Sequence, residues 1–135
     1  MPDFNFIAIG IASLIPLLVG AVWYLPGVMG DTLSTENGVN PETKKKHSTA
    51  TYVVTVIAGF LISMLIAAIM STHAKSDITL AHGMFHGGVA SLFMAIPPFL
   101  VIALFESKSL KYIIIHAIYW LISMVLMGGI IGFMS

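Results

Sequence analysis

The sequence predicts an all-α membrane protein of four transmembrane helices in an up-and-down bundle, with the third helix kinked at Pro97-Pro98. Three observations carry this. Hydrophobic residues make up 58% of the 135 and charged residues only 9%, where a soluble domain carries roughly 25% charged residues. Four apolar segments, 4–24, 52–70, 78–105 and 112–134, each approach or exceed the roughly 20 helical residues that cross about 30 Å of hydrocarbon. The last two connections are short, which makes helices two, three and four antiparallel neighbours. A barrel would need alternating strands and many more of them. The length suits a single domain, 1–135.

Several functions are excluded by composition. Net charge is zero, so no basic face is available for nucleic acid. The absence of cysteine rules out disulfides and thiolate chemistry. No phosphate, dinucleotide or zinc signature is present. The opening Met-Pro-Asp-Phe-Asn-Phe places no Lys or Arg before the apolar run, and no small-residue cleavage site follows. The first segment therefore reads as a retained span and not as a signal peptide.

In order, the predicted spans are about 4–25, 49–71, 78–105 and 110–134, with a cytoplasmic loop at 26–48. The first carries Pro16 and ends in Trp23 and Tyr24, at interfacial depth. In the loop, Gly27-Val28-Met29-Gly30-Asp31 is breaker-rich and expected to be irregular. Asn40-Pro41-Glu42 then combines a good N-cap, a proline for the first helical position and an acidic first turn. Helix two is thus expected to start in water at Pro41 and run on into the membrane. Ser76 or Asp77 can cap the third helix. Pro97-Pro98 removes backbone donors inside it, hence the predicted kink.

The lysines set the orientation. Lys44, Lys45, Lys46, Lys108 and Lys111 fall in loops one and three, and Lys75 alone on the other side. The positive-inside rule places both termini outside and the lysine triplet in the cytoplasm. Tyr52 and Tyr112 begin spans on the lysine side, as part of an aromatic belt.

Small residues recur every fourth position. Helix two has Thr51, Thr55, Gly59, Ser63, Ala67 and Ser71; helix three has Thr79, Gly83, Gly87, Ser91 and Ala95; helix four has Gly128 and Gly132. Rows of this kind let backbones approach in lipid, where no hydrophobic effect draws helices together. Thr55, Gly59, Ser63, Ala67, Gly83, Gly87, Ser91, Gly128 and Gly132 are therefore the expected packing residues.

Little remains for chemistry. No Asp, Glu, Lys or Arg lies at the centre of a span, which argues against a proton-coupled transporter, and no catalytic constellation is visible. His82 and His86, four apart, share a helix face and can hold one metal ion. Two ligands do not close a site, though a dimer supplies four. Met84 and Met94 are close enough in sequence to suggest a soft metal. Against this stands the common structural role of a histidine hydrogen-bonded between helices. His116 is expected roughly 10 Å away in depth from His86 and is assigned a backbone carbonyl or Ser123 as partner. His47 and His73 read as solvated loop residues.

Two stretches carry a resemblance. Gly20-Ala-Val-Trp-Tyr-Leu-Pro26 with Met29-Gly30 ends the first helix. Leu104-Phe105-Glu106-Ser-Lys108-Ser-Leu110-Lys111 leads into His116-Ala-Ile-Tyr-Trp120 and Met127-Gly128-Gly129-Ile-Ile-Gly132. Together with His82-Gly83 and His86-Gly87, the chain resembles the bacterial membrane-protein family catalogued as domain of unknown function 1761. The resemblance implies a small inner-membrane protein and brings no activity with it. The first expectation is a non-enzymatic protein that self-associates or serves a membrane complex as a small subunit, with the lipid bilayer as partner and no cofactor. The second is a channel or carrier for a small neutral solute. The third is a metal- or haem-binding redox protein using His82 and His86.

Overall fold

The computed structural model describes residues 4–40, 43 and 46–135; over these the chain is helical, with no strand. Four stretches are long and apolar enough to cross a membrane: Phe6–Trp23, Thr49–Met70, Leu80–Phe105 and Leu110–Met134. Phe6, Val54, Leu61, Phe93, Phe105 and Phe133 point outward, each more than half exposed. Such a surface is costly in water and costs nothing in hydrocarbon.

The first stretch is two helices, α1 (Phe6–Ala12) and α2 (Ile15–Trp23). Asn5 caps α1 by accepting from the N–H groups of Ile7 and Ala8. Its amide donates to the carbonyl of Met134 at 2.7 Å, tying the two ends of the chain together. Pro16 stands in the first turn of α2, where its missing N–H is harmless. The interruption is braced. Gly59 lies against the carbonyl of Ser13 so closely that a methyl group would collide with it. The Tyr119 hydroxyl donates to the Pro16 carbonyl at 2.7 Å.

The first loop contains a helix, α3 (Gly30–Glu36), so Gly30 and Asp31, expected to be irregular, are helical. The turn 27–29 before it is irregular as expected. Gly30 is required because a Cβ there would strike the carbonyls of Tyr24 and Leu25. Asp31 accepts from the Gly27 N–H at 2.9 Å, a favourable place for an acid at a helix start. Gly38, with φ of 64°, lies just past its end. Ser109 donates to Glu36 and Lys108 to Asn37, which holds loop one to loop three.

The second stretch, α4 (Thr49–Met70), is capped by Ser48, whose hydroxyl accepts from the Thr51 N–H. This corrects the expected start at Pro41, because Lys46, His47 and Ser48 are not helical. Pro41, Glu42, Lys44 and Lys45 lie outside the described residues. The cap signal at Asn40 is sound locally. The lysine run after it, however, offers no apolar face to pack, and an unsupported short helix is marginal in water.

The third stretch comprises α5 (Leu80–Ala90), a π segment (Ser91–Ala95) and α6 (Ile96–Phe105). Thr79 caps α5 by accepting from the His82 N–H at 3.2 Å. Ser76 and Asp77, the expected caps, form a 3-10 turn one step earlier. In the π segment the Ile96 N–H reaches back five residues to Ser91. The wide turn thus falls immediately before Pro97 and Pro98, which have no N–H to give. The fourth stretch, α7 (Leu110–Met134), is capped by Ser109, which accepts from Tyr112.

α7 is the central helix and packs against α1, α2, α4 and α5. The core is formed by Ile9, Ala12, Ile66, Ala67, Met70, Ala90, Met124, Met127 and Ile131. The tightest pairing is α5 on α7. A Cβ on Gly83 would fall on the carbonyl of Gly128, one on Gly87 on that of Met124, and one on Gly132 on that of Thr79. Ser63 and Ser91 are wholly buried and Ala67 nearly so. Thr55 stands nearer the edge, its hydroxyl donating back to Thr51. The glycines bring helices of one chain together.

Candidate metal centre

The end of α4 and the start of α5 converge at the same end of the bundle as the tied chain ends. α4 stops at Met70, and Ser71 to Ala74 turn tightly, with the N–H groups of Ser71, Thr72 and His73 bonded back to Ala67, Ile69 and Met70. The turn aims His73 at the face of α5 that carries His82 and His86. Four-residue spacing places those two rings one turn apart on one side of the helix.

The three histidines form one cluster. Ring centroids are 4.7 Å apart for His73 and His82, 4.6 Å for His73 and His86, and 4.6 Å for His82 and His86. One ring nitrogen from each lies within 4.8 Å of the other two. Among the described residues no other group of three His, Cys, Asp or Glu side chains comes so close. Nδ1 of His73 lies 3.2 Å from the carbonyl of Ile69. A carbonyl only accepts, so this bond places the proton on Nδ1 and leaves the Nε2 lone pair free, the arrangement found in metal-ligating imidazoles. Nε2 of His82 is buried with no hydrogen-bond partner. A buried polar atom so placed costs on the order of 1–3 kcal/mol unless something binds it.

His73 is thus not the solvated loop residue expected from sequence. It is partly buried and is the third member of the site. The signal lay in the short connection between helices two and three, which confines residues just past one helix to the flank of the next. Met84 does not join the cluster. Its side chain lies where a Cβ on Gly129 would go, against α7. Met94 sits in the π segment and is half exposed.

His116 belongs to a separate group. Its Nδ1 is 2.9 Å from the Tyr24 hydroxyl, and its ring contacts Phe99 and Tyr112. This replaces the expected partners, a backbone carbonyl or Ser123; the Ser123 hydroxyl is buried without a partner. His47 is exposed, edge-on to Tyr52.

Four membrane-length helical stretches around an apolar core, with the charged side chains of the described residues gathered at their ends, define a polytopic helical membrane protein. A model of the family described as protein of unknown function (DUF1761) matches residues 7–132, and the chain belongs to that family. No curated protein and no solved structure matches it.

Proposed function

We propose that this small membrane protein binds one divalent transition-metal ion through His73, His82 and His86. The carrying observation is the convergence of three imidazole nitrogens within 4.8 Å, one of them buried and unpartnered. An ion with metal–nitrogen distances of about 2.0–2.1 Å holds its ligands about 3.4 Å apart in a tetrahedron. The three nitrogens must therefore draw closer than the 4.8 Å that bounds their separation here. With no thiolate and no thioether in the cluster, the donor set is three imidazoles, which suits Zn(II), Cu(II), Ni(II) or Co(II) over Cu(I). Haem fits poorly, since rings 4.6–4.7 Å apart leave no room for a macrocycle between them.

This moves the third expectation ahead of the first. The fourfold small-residue rows were the main support for self-association, and the closest of those contacts are made within one chain. The accessory-subunit reading then stands on the outward apolar faces alone. The lysine distribution supports an orientation with both chain ends, and therefore the histidine cluster, on the non-cytoplasmic side, and the family resemblance implies a bacterial plasma membrane.

The test is metal analysis of protein purified in mild detergent without an affinity tag and loaded with Zn(II). About one equivalent should survive dialysis. His73→Ala and the double variant His82→Gln, His86→Gln should each bring it near zero while keeping the elution volume of the parent. Stoichiometric zinc in either variant would refute the site.

A further inference from the structure

At the end of the bundle opposite the histidine cluster, a cavity of about 430 Å³ lies between α2 and α4, with Tyr119 of α7 among its walls. Thr51 and Thr55, from the fourfold row of α4, line it together with Leu17, Gly20 and Ala21 of α2. One turn below Pro16 and Thr55 the two membrane stretches touch, Gly59 against the Ser13 carbonyl, and that contact closes the floor. The polar atoms of the wall sort by depth. Near the floor the Tyr119 hydroxyl donates to the Pro16 carbonyl and the Thr55 hydroxyl to the Thr51 carbonyl, both at 2.7 Å. Their protons are spent on backbone, and no Asp, Glu, Lys or Arg is among the described lining residues. The mouth differs. His47 and Tyr52 stand there exposed, with ring centroids 6.4 Å apart. Neither polar tip has a hydrogen-bond partner among the described residues.

We propose that this cavity holds a medium-chain fatty acid, with its carboxylate at the mouth and its chain inward. The site is independent of the metal centre. The depth of the cavity has no donor to spare, so it accepts an apolar body without stranding a polar group. An ionised carboxylate only accepts, and the mouth supplies donors in the Tyr52 hydroxyl and a His47 ring N–H. The mouth lies at the ends of the spans, where a charged head keeps its water and avoids hydrocarbon. From Tyr24 to Pro16, both in the wall, the helix rises about 12 Å. An extended chain of single bonds advances about 1.2 Å per bond, so a chain of about ten carbons reaches from mouth to floor.

The experiment uses the full chain in phosphatidylcholine nanodiscs and radiolabelled decanoate, with empty discs supplying the background. One saturable site per chain is expected. Gly20→Leu should abolish it, because a Cβ there meets nothing closer than 3.5 Å and the rest of the side chain then fills the cavity. Tyr52→Phe, at an exposed position, should weaken decanoate about tenfold, the factor for one hydrogen bond to a charged group. Decanol and decylamine should bind more weakly than decanoate. Tetradecanoate, referred to its own partition into empty discs, should bind no tighter than decanoate. Saturable binding that persists in Gly20→Leu would overturn the cavity as the site, and full affinity in Tyr52→Phe would overturn the placement of the head. Decanol or decylamine bound as tightly as decanoate would overturn the acid, and a gain with every carbon up to fourteen would overturn the closed floor. No saturable site at all would sink the proposal.

Discussion

Replacing Gly87 by alanine tests the α5–α7 contact with a single methyl group. The added Cβ would lie 2.8 Å from the carbonyl carbon of Met124 and 3.2 Å from the Cα of Val125. Unstrained carbon contacts lie at about 3.5–4.0 Å, and the carbonyl oxygen of Met124 is nearer still, so the two backbones must part by roughly 1 Å or more along their closest approach. Neither obstacle is a side chain that can swing aside. Gly83 and Gly128, one turn away, sit equally close and lose contact as the helices separate. Overpacking of this kind costs about 1–3 kcal/mol. For a chain of this size that corresponds to roughly 4–12 °C in melting temperature, taking about 4 °C per kcal/mol. Leu92→Ala, at a position about half exposed on the outward face, should change it by less than about 2 °C, since lipid replaces whatever the leucine touched. The assay is thermal unfolding in a mild detergent, followed by tryptophan fluorescence. Gly87→Leu should be worse still. If Gly87→Ala melted with Leu92→Ala, close backbone approach would not be what holds α5 to α7.

Ser48→Ala should destabilise α4 by about 1 kcal/mol through loss of the cap on Thr51; a variant as stable as the parent would mean that Ser48 does not cap the helix. Protons compete with the metal for His73, His82 and His86, so zinc affinity should fall steadily on acidification from about pH 8 to pH 5, as dialysis against a competing chelator at each pH would show. PH-independent retention would mean that the ligands are not imidazoles. A cysteine at exposed Thr43 should be shielded from an impermeant maleimide on whole spheroplasts and one at Ser135 should react; the opposite pattern would invert the orientation drawn from the lysines.

Much of the fold was legible because the bilayer constrains it so strongly. A run of twenty apolar residues has few options in lipid, and each of the four runs is helical. The elements outside those runs were harder to read. α3 depends on Gly30 because of the carbonyls of Tyr24 and Leu25 above it, and such proximity leaves no local trace in Gly-Asp-Thr-Leu. The start of α4 shows the same limit from the other side, since Asn40-Pro41-Glu42 has the residue types of a cap while the cap observed is Ser48. The site was half legible. Spacing identified His82 and His86, while His73 lies nine residues before His82 with no periodic relation to it. Only the tight turn after Met70 puts it in place. The Tyr24–His116 contact joins residues 92 apart, a distance no local pattern spans.

The π segment has a consequence for how the chain tolerates change in length. Between Ser91 and Ala95 the helix holds one more residue than an α-turn needs. Removing a residue there should convert the segment to ordinary α-helix without breaking the rod, while turning everything after it by about 100° relative to everything before. The half bearing the histidines and glycines would keep its hold on α7, and the half bearing Pro97 and Pro98 would present a different face to its surroundings. Ser91–Ala95 thus divides one membrane crossing into two segments that can be re-phased independently, and a single-residue deletion could reset the second without disturbing the first.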